Sequence, residues 1–296
     1  MKISAIPYSN MDTATTRLRF YAVLNALPSE YTWSKCNKLA EGDILYIQKK
    51  ADRDTLRTAM AAKDKGIKIV YDLGDPAIYD EEHHRITMLR LANVITTDTE
   101  NRKTELLQYV KNIVVVPDCI DYEGTYRTFE YAPEIKRIVT FGNTESITAA
   151  APYMNPLPLK KVYITNNKRP CFPDAKFVEW KYDSFIKNLA KNDLCLLVQS
   201  NHSKSNNRLL VCMRLGIPFV VADSPSYRET VKATGLKHLI VKDSIDIEAV
   251  IISCMSESLD MRFMTSMIAV KHVMNYTASK SALKLAEAFK MAVANA

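Results

Sequence analysis

The residues best suited to chemistry fall in separate clusters, and the richest is SKSNNR (203–208). Lys204 lies in a loop, Asn206 and Asn207 stand at the start of a predicted helix over 206–215, and Arg208 occupies its first turn. A cation in a first turn opposes the helix dipole, so an arginine there implies an anion close by. Ammonium and amide side chains around a helix start are the groups that hold a phosphate. A solvent-facing basic cap accounts for the same residues. Gly142 and Asn143 end a predicted strand over 136–143, where backbone amides can approach phosphate. A plain strand-to-helix turn accounts for Gly142 equally well. Lys168 and Arg169 carry charge nearby, with a surface loop as the simpler account.

A second cluster offers proton transfer. Asp72 and Asp75 flank Gly74 in YDLGDP, and His83 and His84 follow. A hydroxyl that must attack needs a base or a positioned carboxylate, and Asp72, Asp75 and His84 are the candidates, with a surface helix histidine the commoner account of His84. Asp72 at a strand end serves equally as a loop cap. Near the end of the first predicted strand lie Asn10, Arg17 and Arg19. The two arginines are two positions apart, so on a helix they point to different sides and at most one faces a site.

Other chemistries are absent from the pattern. The seven glycines form neither G-x-G-x-x-G nor G-x-x-x-x-G-K-[ST], so no glycine-rich phosphate loop is expected. The six cysteines are widely spaced, with no C-x-x-C and no Cys/His cluster at zinc spacing, and no metal site is expected. They read as reduced thiols, Cys195 and Cys212 among them as buried ones.

Short β-type runs alternate with helical patterns along the chain, which is the signature of parallel α/β layers. Strands are expected at 2–8, 43–48, 67–73, 93–97 and 112–118, with helices at 14–27, 52–65, 83–91 and 99–111. The stretch 118–135 has no periodicity and reads as a linker. Strands then resume at 136–143, 159–165, 176–180, 193–200 and 217–223, with helices at 144–151, 183–191, 206–215, 225–234, 245–257 and 259–275. The closing stretch is amphipathic, with Leu283, Ala286, Phe289 and Val293 on one stripe.

With 296 residues the chain exceeds what one core serves, so two domains of about 150 residues each are expected. The net charge of +7 allows nucleic acid, a nucleotide or an acidic membrane surface as partner, and a lysine-rich solvated surface is the plain account. No run approaches the ~20 apolar residues that span a bilayer. The first residues, MKISAIPY, lack the pattern of a signal peptide. A soluble cytoplasmic protein is expected, in a host cytoplasm if virus-encoded.

Segments in order then carry a resemblance: IPYSNMDTATTRLRFY, KGIKIVYDLGDP, NVITTDTENRKTELLQYVKNIVVVPDCID, and YDSFIKNLAKNDLCLLVQSNHSKSNNRLLVCMRLGIPFVVADSPSYRETV. Together they resemble nucleotide-sugar glycosyltransferases of the GT-B fold, nearest to glycosyltransferase family 4. The last segment is similar to the family's donor-binding helix-strand pair, although Ser203 and Val211 stand where the family usually carries glutamates. Ser9 and Asn10 stand where many members have a glycine pair.

The resemblance implies two Rossmann-like domains facing across a cleft. The first, at 1–125, would bind the acceptor, the second, at 136–278, the nucleotide sugar, and a helix at 279–296 would cross back to the first. It implies donor contacts from Gly142, Asn143, Lys204, Asn206, Asn207, Arg208, Ser224, Tyr227 and Glu229, and acceptor contacts from Ser9, Asn10 and Arg17. A first-turn helix acid is an equal account of Glu229. The co-substrate is expected to be a UDP-sugar, with no further cofactor and no metal. The acceptor expectation is a hydroxymethylated pyrimidine in DNA, entering as a flipped base. A glycan or lipid-linked acceptor, and a catalytically inactive two-lobed binding protein, are the alternatives.

Overall fold

A computed structural model of the chain describes residues 1–36, 40–74, 83–120, 134–168, 174–199, 204–242 and 244–294. Asp75, Arg169 and Ser203 lie outside the described residues, as does most of the expected linker. The chain divides into two compact units, Met1–Cys119 with Tyr276–Ala296, and Ile120–Asn275.

The first unit holds a parallel six-stranded sheet of β1 (Lys2–Ile6), β2 (Thr32–Lys35), β3 (Ile44–Gln48), β4 (Lys68–Asp72), β5 (Val94–Thr97) and β6 (Ile113–Val115), in the order β2-β1-β3-β4-β5-β6. β3 and β5 are buried at every position, because crossover helices cover both faces of a parallel sheet and favour unbroken apolar or β-branched runs. β2, TWSK, lies at the edge and is mostly exposed. It carries no such run, and the sequence pattern offers no strand there. Pairing of β3 with β4 ends at Gln48 opposite Asp72, which sets Asp72 at the carboxyl end of the sheet.

The predicted helix over 14–27 is α1 (Ala14–Thr16), a π-helical turn over Arg17–Tyr21, and α2 (Ala22–Asn25). A π turn carries more residues per turn than an α-helix. Arg17 and Arg19 are both buried here and turn to different partners, Arg17 to the Met11 carbonyl and Arg19 to the Asp72 and Asp118 carboxylates. The remaining helices of this part are α3 (Arg53–Asp64), α4 (His83–Leu91) and α5 (Glu100–Leu106). α3 is capped by Asp52 and α5 by Thr99, each side chain accepting from a first-turn amide.

The second unit repeats the plan with β7 (Arg137–Phe141), β8 (Lys160–Thr165), β9 (Lys176–Glu179), β10 (Leu194–Leu197), β11 (Phe219–Ala222) and β12 (Ile240–Val241), in the order β12-β11-β10-β7-β8-β9. Its helices are α6 (Thr144–Met154), α7 (Tyr182–Leu189), α8 (Asn207–Leu215), α9 (Pro225–Thr234), α10 (Ser244–Ser256) and α11 (Leu259–Val273). Gly216 ends α8 in the left-handed region at φ 60°, which turns the chain into β11.

The last helix, α12 (Ala278–Ala294), packs in the first unit's core. Its buried stripe is Ala282, Leu285, Ala286, Ala288, Phe289 and Ala292, whereas Leu283 and Val293 are exposed. The expected stripe is therefore rotated, because the alanines allow close approach and define the buried side. The Phe289 ring sits 5.8 Å from Tyr46 and 6.1 Å from Tyr31. Ser281 Oγ donates to the Pro117 carbonyl at 2.9 Å. Among the described residues no helix is long and apolar enough to cross a membrane.

Candidate functional site

In the second unit, the carboxyl ends of β7 and β10 and the start of α8 bring charged and amide groups together. Arg208 lies across both strand ends. Its Nη1 donates to the Phe141 carbonyl and its Nη2 to the Val198 carbonyl, each at 2.9 Å. It rests on Gly142, where φ is +136° and an added Cβ would meet Arg208 Cδ and Nη1 at 3.1 Å. Gly142 is thus required twice, for its backbone region and for the close approach of the guanidinium. No carboxylate pairs with Arg208 among the described residues. Half-buried beside neutral acceptors, the guanidinium keeps its full charge for an anion.

The start of α8, like that of α7, has no side-chain cap, and unlike α7 it has no acid in its first turn. α3, α5, α6, α9 and α11 each have a side chain accepting from a first-turn amide. Asn206 at the α8 start makes no such bond, and the first turn holds no acid. Its amides therefore face outward without a side-chain acceptor, a standing preference for an anion.

The loop into α8 is tied down from α9. Asn206 is buried and its Nδ2 donates to Thr230 Oγ1 at 2.7 Å. Ser226 Oγ donates to the Lys204 carbonyl at 2.7 Å. Lys204 Nζ reaches Glu145 Oε2 at 3.2 Å, and Asn143 Nδ2 reaches the same oxygen at 3.3 Å while its Oδ1 caps α6. Lys204, Asn143 and Arg208 thus converge around the ends of β7 and β10. Asn207 is the first residue of α8 and half-buried. Asn206 acts instead as a tether.

The remaining donor candidates sit on β11–α9. Ser224 is buried and caps α9 by accepting from the Tyr227 amide. Tyr227 is fully buried, and burial pushes its hydroxyl above the usual phenol range, with the Arg208 charge pulling the other way. The phenol expected to touch a donor therefore lies in the core. Glu229 is half-buried on α9, and Val211 is buried on α8. Glu145, Ser226 and Thr230 were not legible as site residues. Each acts through a partner distant in sequence, and only the serine and threonine content of α9 hints at them.

The carboxyl end of the first unit's sheet is organised differently. Arg19 Nε and Nη2 hold Asp72 Oδ2 and Oδ1 at 3.1 and 2.6 Å, and Nη1 holds Asp118 Oδ1 at 2.8 Å and the Val116 carbonyl at 2.7 Å. Thr96 Oγ1 donates to Asp72 Oδ1 at 2.8 Å. Burial alone would lower the Arg19 pKa, but Asp72 and Asp118 hold it well above the usual value. Asp72 has no exposed surface. A carboxylate so enclosed meets no hydroxyl from solvent, and the base sought there is the partner of an internal guanidinium.

Next to it, Asp98 Oδ1 accepts from Arg102 Nε at 3.0 Å. Burial first, and then the charge of Asp118, raise the Asp98 pKa to about 6 against Arg102 and Arg19. Arg17 is also buried, its Nη1 donating to the Met11 carbonyl at 3.0 Å, so it braces the loop and does not present charge. Ser9 and Asn10 are exposed, Ser9 N donating to Thr16 Oγ1 and Asn10 side-chain atoms bonding Asp12. His84 is exposed in the first turn of α4. Lys49 carries no sequence signal yet is buried in the left-handed region at φ 55°, its Nζ 5.6 Å from the Tyr8 ring centroid. Among the described residues no group of three or more His, Cys, Asp or Glu side chains converges as a metal site.

Two parallel sheets of six strands, each wrapped by helices, recur in solved structures. The chain is similar to Anabaena HepE in complex with UDP, at 13% identity and a TM-score of 0.71, over 97% of this chain and 98% of that one. It is similar to an E. coli trehalose-6-phosphate structure bound with UDP-2-fluoro glucose, at 12% identity and a TM-score of 0.63, over 84% of this chain and 74% of that one. A Burkholderia vietnamiensis α,α-trehalose-phosphate synthase (UDP-forming) matches at 10% identity and a TM-score of 0.63, over 84% and 71%. The chain has the GT-B fold. No protein-family model and no curated protein matches it. At these identities the likeness is one of fold, and within the GT-B fold the second Rossmann-like unit is the one that carries the uncapped α8 and Arg208.

Proposed function

We propose that the protein is a glycosyltransferase that binds a UDP-sugar at the head of α8 and transfers the sugar to an acceptor hydroxyl. The observation that carries this reading is Arg208, a guanidinium seated on two carbonyls and Gly142 with no carboxylate paired to it among the described residues. The neighbours with UDP and with UDP-2-fluoro glucose support a uridine diphosphate as the anion.

Departure of a diphosphate leaves negative charge while positive charge develops at the anomeric carbon. Groups preorganised toward that departing charge lower the barrier more than groups that must reorient. Arg208, the α8 amides and Lys204 would supply this charge from the protein itself, so turnover is proposed to survive a chelator. Asn143, Asn207, Ser224 and Glu229 belong to the proposed donor surroundings. His84, together with Asp75 outside the described residues, would serve as the base for the acceptor hydroxyl, with Ser9 and Asn10 on the acceptor side. Membership of glycosyltransferase family 4 is the finer part of the proposal and rests on the order of the resembling segments. A cytoplasmic setting belongs to the same reading.

The acceptor is proposed at the level of an alcohol. The hydroxymethylated DNA suggested by the +7 charge finds no support in these neighbours and enters as one arm of the test. Calorimetric titration with UDP, followed by transfer of labelled sugar from a panel of UDP-sugars to hydroxymethylated DNA, oligosaccharide and lipid-linked acceptors, tests the reading. Saturable UDP binding that Arg208→Ala abolishes in a folded protein, with transfer to one acceptor, is expected. UDP binding without transfer to any acceptor would favour the inactive binding protein, and no UDP binding overturns the proposal.

A further inference from the structure

α11 is built inside out. Its buried residues are Arg262, Thr265, Ser266, Ala269 and Val273, mostly small or polar. Its exposed face carries Met264 (56% exposed), Phe263 (44%), Met267 (42%) and Ile268 (40%). A monomer rarely leaves so continuous an apolar stripe in water, and methionines adapt to whatever covers them.

The same stripe is bounded by an acid and a base. Asp260 lies one turn before Phe263 and Met264, and Lys271 lies one turn after Met267 and Ile268, both exposed. Around the helix, at about 100° per residue, these six positions fall within one arc. Along the helix they are symmetric about the point midway between Thr265 and Ser266. A two-fold axis over that point, parallel to the exposed face and perpendicular to the helix, lays a second copy antiparallel on the first. It then packs Phe263 beside Met267 and Met264 beside Ile268 of the second copy, and sets Asp260 opposite its Lys271. Self-complementarity of this kind is what an isologous interface demands. A lipid surface fits less well, because a membrane-lying helix carries a basic polar face whereas the charges here cancel.

We propose that α11 forms the two-fold interface of a homodimer of this protein. One helix per partner is a small interface, so the dimer would be a weak one, in the micromolar range, about 1–100 µM.

Sedimentation velocity of the full chain over about 1–100 µM tests it, with circular dichroism confirming that each variant is folded. A monomer–dimer equilibrium is expected. Met264→Glu should weaken it roughly a hundredfold, since each substitution puts two carboxylates into the apolar centre. Asp260→Lys and Lys271→Asp should each weaken it about tenfold, and the double exchange should restore it to within about threefold. A monomer throughout, a dimer indifferent to Met264→Glu, or charge exchanges that fail to rescue one another would each overturn the proposal. So would flotation with phosphatidylglycerol vesicles that Met264→Glu abolishes in a chain that stays monomeric.

Discussion

Arg19 and Arg208 both lie at the carboxyl ends of parallel sheets, and their surroundings differ in one respect. Arg19 faces two buried carboxylates, Asp72 and Asp118, at 2.6 and 2.8 Å. Arg208 faces two carbonyl oxygens and a glycine. A guanidinium closed by carboxylates is part of the scaffold, since its charge is already matched where water is absent. A guanidinium held by neutral acceptors is positioned but not neutralised. The same residue type at equivalent places therefore serves stability in one unit and is available to an anion in the other.

The largest effect should come from removing the matched arginine. Arg19→Ala leaves Asp72 and Asp118 buried without their countercharge, and a loss of about 3–5 kcal/mol is expected in chemical denaturation. Arg208→Ala breaks no ion pair, so its stability should change by less than about 1 kcal/mol. Near-equal losses of stability in the two variants would erase the contrast.

Gly142→Ala comes next. The new Cβ must sit 3.1 Å from Arg208 atoms in a backbone region that disfavours side chains, so either the guanidinium or the strand end shifts. UDP affinity should fall about tenfold, and stability by roughly 1 kcal/mol. A variant that binds UDP as the parent does would show that Arg208 placement is not what the site depends on.

The scaffold side carries its own titration. Asp98 has a folded pKa of about 6, above the ordinary carboxylate value, because burial and Asp118 disfavour its charge. An acid with a raised folded pKa stabilises the protein fully below the unfolded pKa of about 4. That contribution is lost as pH rises through the folded value. Asp98→Asn removes this dependence. The stability of the variant relative to the parent should therefore rise by roughly 2 kcal/mol between pH 4 and pH 7. Parallel curves would place the titration elsewhere.

Why one arginine was legible and the other not follows from sequence distance. Arg208 sits in the first turn of α8, where the dipole makes a cation conspicuous, and its loop neighbours are adjacent in the chain. Arg19 finds Asp72 at a separation of 53 residues and Asp118 at 99, pairings that only the tertiary fold creates. Asp72 accordingly looked like a base, and Tyr227 like a ligand contact, until burial placed both inside. The π turn over Arg17–Tyr21 interrupts the predicted helix with no signal in the local pattern. Buried strands such as β3 were plain from composition, whereas the edge strand β2 has too little apolar content to be seen.

The smallest effect tests how much of the site's charge is held in reserve. Lys204 and Glu145 form a surface pair at 3.2 Å, with the glutamate 70% exposed, so its loss should alter stability by no more than about 0.5 kcal/mol. Glu145 nevertheless draws Lys204 and Asn143 to one oxygen beside the uncapped α8 start. An incoming diphosphate would compete with that carboxylate for the ammonium. Glu145→Gln keeps the shape and removes the competing charge, so UDP should bind about two- to threefold more tightly, with the gain shrinking as salt screens the pair. Weaker binding would mean that Glu145 acts by positioning Lys204 and not by restraining it. That outcome would make the second unit resemble the first, with its cations ordered by carboxylates, and would narrow the contrast to Arg208 alone.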